Sequence, residues 1–156
     1  MKAPVILKGN IMSYRTLRKI VGQQKILTTA PVKTTVSEAA REMKQTRVGA
    51  LLVVENGRLV GIFTERDALF RVLAEGLDPD VTPLSEVMTS DPLTVHPDKP
   101  FEHALHLMYE NGFRHVPVVE NGRPLGMVSA RDALALEAEE FEAALQQREH
   151  LQQILA

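Results

Sequence analysis

Two short segments of the sequence carry a hydroxyl, an arginine and an aspartate at the same spacing. They are Thr64-Glu65-Arg66-Asp67 and Ser129-Ala130-Arg131-Asp132. A hydroxyl and the unpaired N–H groups of a helix's first turn bind anions, and a guanidinium adds a fork that suits phosphate. An aspartate carboxylate can accept two hydrogen bonds from a vicinal diol such as that of ribose. These residue types at this spacing therefore predict recognition of a ribose phosphate.

A structural role fits the same residues and stays open on the sequence. The hydroxyl residues are good helix N-caps, and an aspartate in the first turn complements the helix dipole. Capping explains either segment alone. It explains less well why arginine and aspartate are kept together in both segments while their neighbours differ, as Glu65 and Ala130 do.

The two segments belong to a tandem repeat. Gly61 returns as Gly126, a shift of 65 residues (126 − 61), and the register holds without a gap from residues 29–69 to residues 94–134. The run Val-Val-Glu-Asn-Gly-Arg is identical in both copies. Because 156 residues is the size of one ordinary domain, we expect the two copies to share a core rather than to fold apart.

Each copy is predicted to have the element order β-α-β-β-α. Helical spacing, covered apolar runs and an Asn-Gly hairpin turn recur in that order in both copies. The predicted elements are 25–29, 36–45, 48–54, 59–63 and 65–76 in the first copy, and 92–95, 101–109, 116–119, 125–128 and 130 onward in the second. The helix that Thr64 caps is predicted to bury a stripe of four residues, Ala68, Leu69, Val72 and Leu73.

The pattern as a whole predicts an α+β fold, in which the two repeats form one pseudo-two-fold module with an N-terminal arm and a long C-terminal helix. The predicted boundaries are 1–24 for a basic arm with a short helix over 11–24, 25–76 for the first repeat, 77–90 for a linker, 91–138 for the second repeat and 139–156 for a helical extension. That extension continues an amphipathic seam of Leu134, Ala138, Phe141, Leu145 and Leu155.

The two ends of the chain carry opposite charge. Residues 1–37 contain lysine and arginine but no acidic residue, whereas the tail after residue 136 has five glutamates against Arg148. A basic arm can bind nucleic acid or an anionic surface. An acidic helix of the same chain or of a dimer partner satisfies it equally well. We favour the second interpretation, because the basic residues are not regularly interleaved with aromatic ones for base stacking.

Several classes of function are disfavoured by composition. The sequence has no cysteine, which removes disulfides, thiolate metal sites and a cysteine nucleophile. It has no nucleophile-elbow or phosphate-loop motif, and His103 and His106 lack a third fixed metal ligand. No apolar run approaches the length of a membrane span, and the N-terminus does not read as a signal peptide. We expect a cytoplasmic protein that is not an enzyme, with no metal, no catalytic cofactor and no membrane partner.

Longer phrases of the sequence carry a family resemblance. They are Val-Met-Thr-Ser-Asp-Pro-Leu-Thr-Val at 87–95, Arg-His-Val-Pro-Val-Val at 114–119 and the two Gly-x-x-Thr/Ser-x-x-Asp segments. Over residues 25–138 the chain resembles a pair of cystathionine β-synthase (CBS) domains, also called a Bateman module. Such pairs bind adenosyl ligands such as AMP, ADP, ATP or S-adenosylmethionine in two clefts between the sheets and regulate an attached or partner protein.

The resemblance implies roles for individual residues in two clefts. In the first cleft Asp67 would hold the ribose and Thr64 and Arg66 the ribose-phosphate region, and the adenine edge would meet Thr28, Val48, Gly49 and Ile62. In the second cleft Asp132, Ser129 and Arg131 would take the corresponding roles, and the base would lie among Leu93, Phe113 and Met127.

Two further basic positions follow from the resemblance. Arg114 and His115 precede the central strand of the second repeat, from where related modules reach the phosphate in the cleft of the other repeat. Their counterparts in the first repeat are Gly49 and Ala50. We therefore expect unequal clefts, with phosphate-bearing ligands bound more tightly beside Asp67.

The expected function is that of a stand-alone regulatory CBS pair. It would act as a nucleotide or energy sensor for an unidentified partner protein and would form a homodimer. The alternative is a nucleic-acid-binding or purely structural dimerisation module that uses the basic N-terminal arm. We do not expect nucleic acid as the principal partner.

Overall fold

The computed structural model describes residues 15–155, which form two β-α-β-β-α units preceded by a short helix. The helix is α1 (Leu17–Gly22). The first unit comprises β1 (Thr29–Ala30), α2 (Val36–Thr46), β2 (Ala50–Glu55), β3 (Arg58–Thr64) and α3 (Glu65–Asp67), which continues as a π-helix (Ala68–Leu73). The rest comprises α4 (Leu84–Val87), β4 (Thr89–Ser90), α5 (Phe101–Asn111), β5 (His115–Glu120), β6 (Arg123–Ser129) and α6 (Ala130–Leu155). The α+β fold predicted from the sequence is confirmed.

The strands form one sheet in each unit. In the first, the order is β1-β2-β3-β4, with β1 parallel to β2 and the other pairs antiparallel. In the second, β5 and β6 form an antiparallel hairpin, and Val95 adds a parallel bridge to Val118. Both hairpins turn at Asn-Gly, where Asn56 and Asn121 have φ values of 52° and 53°. Positive φ at both central residues is what a type I′ turn requires.

The first helix of each unit lies within one or two residues of its predicted range. Thr35 caps α2 through a capping box, in which its hydroxyl accepts from the Glu38 N–H and the Glu38 carboxylate accepts from the Thr35 N–H. The apolar side of α2 is buried at Val36, Ala39 and Met43. These residues pack against β2 and β3 in the core of the first unit.

The strand predicted over residues 25–29 is wrong in its extent. The register pairs Thr29 with Leu52, which places residue 27 opposite Ala50, the first residue of β2. Residues 25 and 26 therefore have no strand beside them. They run past the end of the sheet instead.

The strand predicted over residues 92–95 is reduced to the bridge at Val95. In the first unit the Leu52 N–H donates to the Thr28 carbonyl at 3.0 Å. The counterpart of Leu52 is Pro117, which has no N–H to donate to Leu93. The missing donor shortens the strand.

The stripe predicted for the helix after Thr64 is partly wrong. Val72 is buried, but Leu69 and Leu73 are 49% and 72% exposed. The backbone there makes i→i+5 hydrogen bonds, from Ala74 N–H to the Leu69 carbonyl and from Leu77 N–H to the Val72 carbonyl. The wider π-helical turn rotates the side chains away from the positions that a 3.6-residue period assigns to them.

Each unit has its own core, and a small third cluster joins the two. Ala50, Leu52 and Ile62 form this cluster, and Met127 of the second unit packs on it. The Leu59 N–H also donates to the Gly122 carbonyl at 2.9 Å across the junction. The two repeats therefore share apolar and hydrogen-bonded contacts.

Helix α1 belongs to the core of the second unit, although it precedes the first unit in the chain. Leu17 and Val21 are buried with Val95, Phe101 and other second-unit residues. The Gln24 side chain bonds both backbone groups of Met127, at 2.7 Å and 3.3 Å. Part of the segment assigned to an arm is thus core, and the predicted helix start at residues 11–14 lies outside the described residues.

Helix α6 extends well beyond the second sheet. Its 26 residues include the predicted tail, and Arg15 makes an exposed ion pair with Glu139 at 3.3 Å. Phe141 and Leu145 of the predicted seam are 65% and 41% exposed. Within residues 15–155, none of the helices combines the length and the apolar content that a bilayer span requires.

Candidate functional site

Two clefts lie between the repeats, and each is lined by residues of both. The first has a volume of about 490 Å³ and contains Asp67; we call it the Asp67 cleft. The second has a volume of about 1090 Å³ and contains Asp132; we call it the Asp132 cleft. The 65-residue shift that relates the repeats also relates most of the lining of one cleft to that of the other.

All the residues that the sequence assigned to a site line one or both clefts, but their grouping differs from the expected one. Ile62, Thr64, Arg66 and Asp67 share the Asp67 cleft with Leu93 and Phe113. Thr28, Val48 and Gly49 lie instead in the Asp132 cleft, with Met127, Ser129, Arg131 and Asp132. Because β3 and β6 pack against each other across the pseudo-two-fold axis, each strand-to-helix junction opens toward the other repeat.

Asp67 is buried and serves as part of a helix cap. One carboxylate oxygen accepts hydrogen bonds from the Thr64 N–H at 3.0 Å and the Thr64 hydroxyl at 3.1 Å, and the Asp67 N–H donates to that hydroxyl oxygen at 3.2 Å. The other oxygen lies 3.4 Å from Nε of Arg71. The capping interpretation is therefore correct for this copy, and it leaves one oxygen turned toward a cation.

Ser129 and Asp132 repeat this arrangement at the start of α6. One Asp132 oxygen accepts from the Ser129 N–H at 2.7 Å and from the Ser129 hydroxyl at 3.3 Å. Among residues 15–155 the other oxygen has no hydrogen bond or ion pair. It remains an available acceptor at the wall of the cleft.

The cations of the Asp67 cleft already have partners. Arg66 donates to the Gly112 carbonyl at 3.0 Å, which ties the motif of one repeat to the end of α5 in the other. Arg71, in addition to its contact with Asp67, donates to the Met88 carbonyl at 2.9 Å. Arg114 forms an ion pair with Glu65, Nη2 to Oε1 at 3.0 Å.

The pair of Arg114 and Glu65 lies where the two clefts meet. Both residues line both clefts, and so does His115. Burial lowers the pKa of His115 below its ordinary value of 6.5; the nearby Arg114 charge also lowers it, while Glu65 and Asp132 oppose the shift. The lowered pKa favours the neutral form of His115 at pH 7.

The cations of the Asp132 cleft are differently placed. Lys25, Lys44, Arg47 and Arg131 line it, and within the described part of the chain none of these four side chains has a hydrogen bond or an ion pair. They come from the segment before β1, from α2 and its C-cap, and from α6. Arg47 is the C-cap of α2 and has φ 56° in the left-handed region.

Sequence reasoning missed several of these residues. Arg71 was detectable, since it follows Asp67 by four positions on one helix. Lys25, Lys44 and Asp91 gave no local signal, because their placement depends on how the two repeats dock. Arg47 gave no local signal either, and the structure places it at the wall of the Asp132 cleft.

Comparisons with known proteins agree with this architecture. The family model of the CBS domain matches residues 18–74 and 84–139 of the chain. The CBS domain-containing protein CBSCBSPB3 of Arabidopsis thaliana is 39% identical over 134 residues, which are 85% of this chain and 24% of the plant protein. The chain thus spans about a quarter of the length of that relative.

Solved structures show the same fold. A protein with CBS domains from Burkholderia ambifaria superposes with a TM-score of 0.72 at 29% identity, over 77% of this chain and 91% of that one. The CBS domain protein PAE2072 of Pyrobaculum aerophilum, solved in complex with AMP, superposes with a TM-score of 0.68 at 30% identity, over 76% of this chain and 89% of that one.

Proposed function

The chain belongs to the CBS domain family, and from that premise we propose that it is a regulatory CBS pair that binds an adenosyl ligand, such as AMP, ADP, ATP or S-adenosylmethionine, in the two clefts between its repeats. One observation carries the proposal. The hydroxyl and aspartate pairs Thr64 with Asp67 and Ser129 with Asp132 occupy equivalent positions in two pseudo-symmetric clefts that residues of both repeats complete. The AMP complex of PAE2072 supports the ligand class.

Each part of an adenosyl ligand has a matching chemical group in the clefts. Leu93, which is 51% exposed, and Phe113 offer apolar surface to a base in the Asp67 cleft, and Met127 does so in the Asp132 cleft. In each aspartate, one oxygen holds the helix cap and the other can accept a hydrogen bond from a ribose hydroxyl, although that of Asp67 also faces Nε of Arg71. A charge-assisted hydrogen bond of this kind contributes about 1.5 to 3 kcal/mol.

The direct test is ligand identification followed by titration. Mass spectrometry of molecules that copurify with the protein names the candidates, and calorimetry with adenosine, AMP, ADP, ATP and S-adenosylmethionine ranks them. We expect Asp67→Asn combined with Asp132→Asn to raise the dissociation constant of every adenosyl ligand by at least tenfold. Asparagine keeps the oxygen that caps the helix, so unfolding curves should change little. Unchanged affinity in the double variant would remove the ribose role.

We also propose that the protein acts through assembly, as a homodimer that regulates a partner protein as a nucleotide or energy sensor. Exposed apolar side chains on α6 and on the π-helix of the first repeat, among them Leu73 and Phe141, offer surface that a single chain leaves in water. Sedimentation in the presence and absence of ligand tests whether the clefts are coupled to assembly.

A role in nucleic-acid binding through the basic arm has less support. Arg15 pairs with Glu139, and Arg18 pairs with Asp98 at 2.9 Å and Glu120 at 2.6 Å. The Arg15 contact favours the self-complementary interpretation of the charged ends, and the Arg18 contacts neutralise a second cation of the arm within the second repeat. The rest of the arm, residues 1–14, lies outside the described residues. A salt-dependent shift in the electrophoretic mobility of a generic oligonucleotide on addition of the protein would support the nucleic-acid alternative.

A further inference from the structure

The two clefts differ in charge at positions that the repeat makes equivalent. The Asp67 cleft has Glu65, Asp91 and Gly112 where the Asp132 cleft has Ala130, Ile26 and Arg47, respectively. The exchange of Asp91 for Ile26 removes a negative charge from the Asp132 cleft, and the exchange of Gly112 for Arg47 adds a positive one, whereas Glu65 lines both clefts. Two exchanges run in the other direction: Arg114 stands at the position of Gly49 but lines both clefts, and Arg71, at the position of Leu136, lines the Asp67 cleft and pairs with Asp67.

The state of the cations amplifies this difference. Arg66, Arg71 and Arg114 of the Asp67 cleft are held by carbonyls or carboxylates, so a phosphate there must displace an existing partner. Lys25, Lys44, Arg47 and Arg131 have no such partner within residues 15–155 and converge on one cleft from separate elements. An anion entering the Asp132 cleft gains their attraction without first breaking an ion pair.

Arg47 adds a second, independent observation. Its left-handed backbone is the conformation that favours glycine at a helix C-terminus, and the equivalent C-cap of α5 is Gly112 with φ 69°. A non-glycine residue in this region is strained by about 1 to 3 kcal/mol, and such strain concentrates at functional sites. The first repeat therefore keeps a strained arginine at the wall of the Asp132 cleft, where the second repeat uses an unstrained glycine.

We propose that the Asp132 cleft is the polyphosphate site of this protein, binding the phosphate chain of an adenosine di- or triphosphate through Arg47, Lys44 and Lys25. The Asp67 cleft, which is smaller and has balanced charge, selects adenosyl ligands with one phosphate or none. This inference rests on the proposed binding of adenosyl ligands. This proposal reverses the expectation from the sequence, in which Arg114 made the Asp67 cleft the tighter binding site for phosphate-bearing ligands.

The first test separates phosphate recognition from folding. Arg47→Gly removes the charge and also the backbone strain, so the variant should fold at least as stably as the wild type. We expect its ATP dissociation constant to rise about tenfold while its adenosine dissociation constant stays within about twofold. Arg41→Ala is the matched control, because Arg41 is an exposed cation of the same helix that does not line the cleft. It should change neither constant.

The second test assigns the cleft. ATP and adenosine are titrated by calorimetry into Asp132→Asn and Asp67→Asn separately. We expect Asp132→Asn to remove the high-affinity phase of ATP binding and Asp67→Asn to leave that phase in place.

The opposite pattern in the two aspartate variants overturns this inference, and so does equal weakening of ATP and adenosine in Arg47→Gly. Both outcomes leave adenosyl binding intact. If the wild-type protein binds none of the adenosyl ligands, the proposed function fails and this inference fails with it.

Discussion

Glu65 and Arg114 bridge the two repeats, with Oε1 of the one 3.0 Å from Nη2 of the other, at the place where both clefts meet. The equivalent pair by the repeat would be Ala130 and Gly49, which can form no ion pair. The ion pair of Glu65 and Arg114, which we call the latch, is therefore not duplicated by the pseudo-two-fold axis. The Glu65 carboxylate thus already contacts the Arg114 guanidinium, to which the phosphate of a ligand in the Asp67 cleft would bind.

Removing the carboxylate should expose that guanidinium. We expect Glu65→Ala, which introduces the residue of the second repeat, to tighten AMP binding to the Asp67 cleft about three- to tenfold and to leave adenosine unchanged. Both side chains are 58% exposed, so the cost in stability should be below about 1 kcal/mol. Calorimetry on Asp132→Asn protein isolates this cleft. Adding Arg114→Ala should cancel the gain, and a gain that survives would contradict the latch.

Backbone strain at Arg47 predicts an unusual stabilisation. Arg47→Gly should raise the unfolding free energy by about 1 kcal/mol, because relief of the left-handed conformation exceeds the extra entropy that glycine loses on folding. For a chain of this size that corresponds to a midpoint about 2 to 4 °C higher in thermal denaturation.

The matched change in the other repeat should have the opposite sign. A Cβ at Gly112 would meet nothing within 4 Å, so Gly112→Ala reports the cost of φ 69° alone. We expect it to lower the unfolding free energy by about 1 kcal/mol. Two changes of the same sign would show that these C-caps are not equivalent.

The lowered pKa of His115 predicts a pH dependence of stability. The unfolded chain binds a proton near pH 6.5 and the folded chain only at lower pH, so below about pH 6.5 protonation favours unfolding. Stability should thus fall as the pH is lowered from 7.5 to 5.5. His115→Ala, which introduces the residue found at Ala50, should flatten this slope. Urea unfolding at both pH values measures it, and an equal slope in the variant would exclude His115 as its source.

Close packing at Gly126 predicts that α1 is sensitive to one added methyl group. A Cβ there would lie 2.5 Å from Cβ of Val21 and 2.7 Å from Oε1 of Gln24. Gly126→Ala should therefore cost about 1 to 3 kcal/mol in urea unfolding. Gly22→Ala is the control, since a Cβ at Gly22 meets nothing within 4 Å. A neutral Gly126→Ala would show that α1 adjusts freely.

The proposed homodimer makes a prediction about mass. Phe141→Glu combined with Leu145→Glu should convert the dimer into a 17.3 kDa monomer without unfolding it, because both side chains are exposed in the single chain. Sedimentation at micromolar concentration checks the mass, and circular dichroism checks the fold. A wild-type particle of 17.3 kDa would contradict the dimer.

Local patterns predicted most elements, and backbone hydrogen bonding that those patterns do not show decided what they missed. The hairpins follow from Asn-Gly turns, and the first helix of the first repeat follows from the Thr35 cap and its apolar spacing. The loss of a strand at Leu93 depends on Pro117 lying where the parallel ladder needs an N–H donor, which only the register reveals. The π-helix after Asp67 breaks the period on which the predicted stripe was based.

The candidate site shows the same division. Composition and spacing identified Asp67 and Asp132, because a duplicated motif is visible in the chain itself. Which cleft receives Thr28 or Val48 depends on packing across the axis, and so does the convergence of Lys25 with Arg47. Contacts between residues far apart in the chain give no periodic pattern in a single sequence, so the sequence alone does not predict them.

The position of α1 implies that each repeat is completed by a segment that precedes the other repeat in the chain. Residues 84–90, which precede the second repeat, complete the sheet and core of the first through α4 and β4. Residues 17–24, which precede the first repeat, complete the second through Leu17, Val21 and Gln24. During translation α1 therefore cannot complete its contacts until more than a hundred further residues, up to Met127, have been synthesised. A protein fused before α1 would therefore be attached to a helix that packs in the core of the second repeat, although the first repeat follows α1 in the chain.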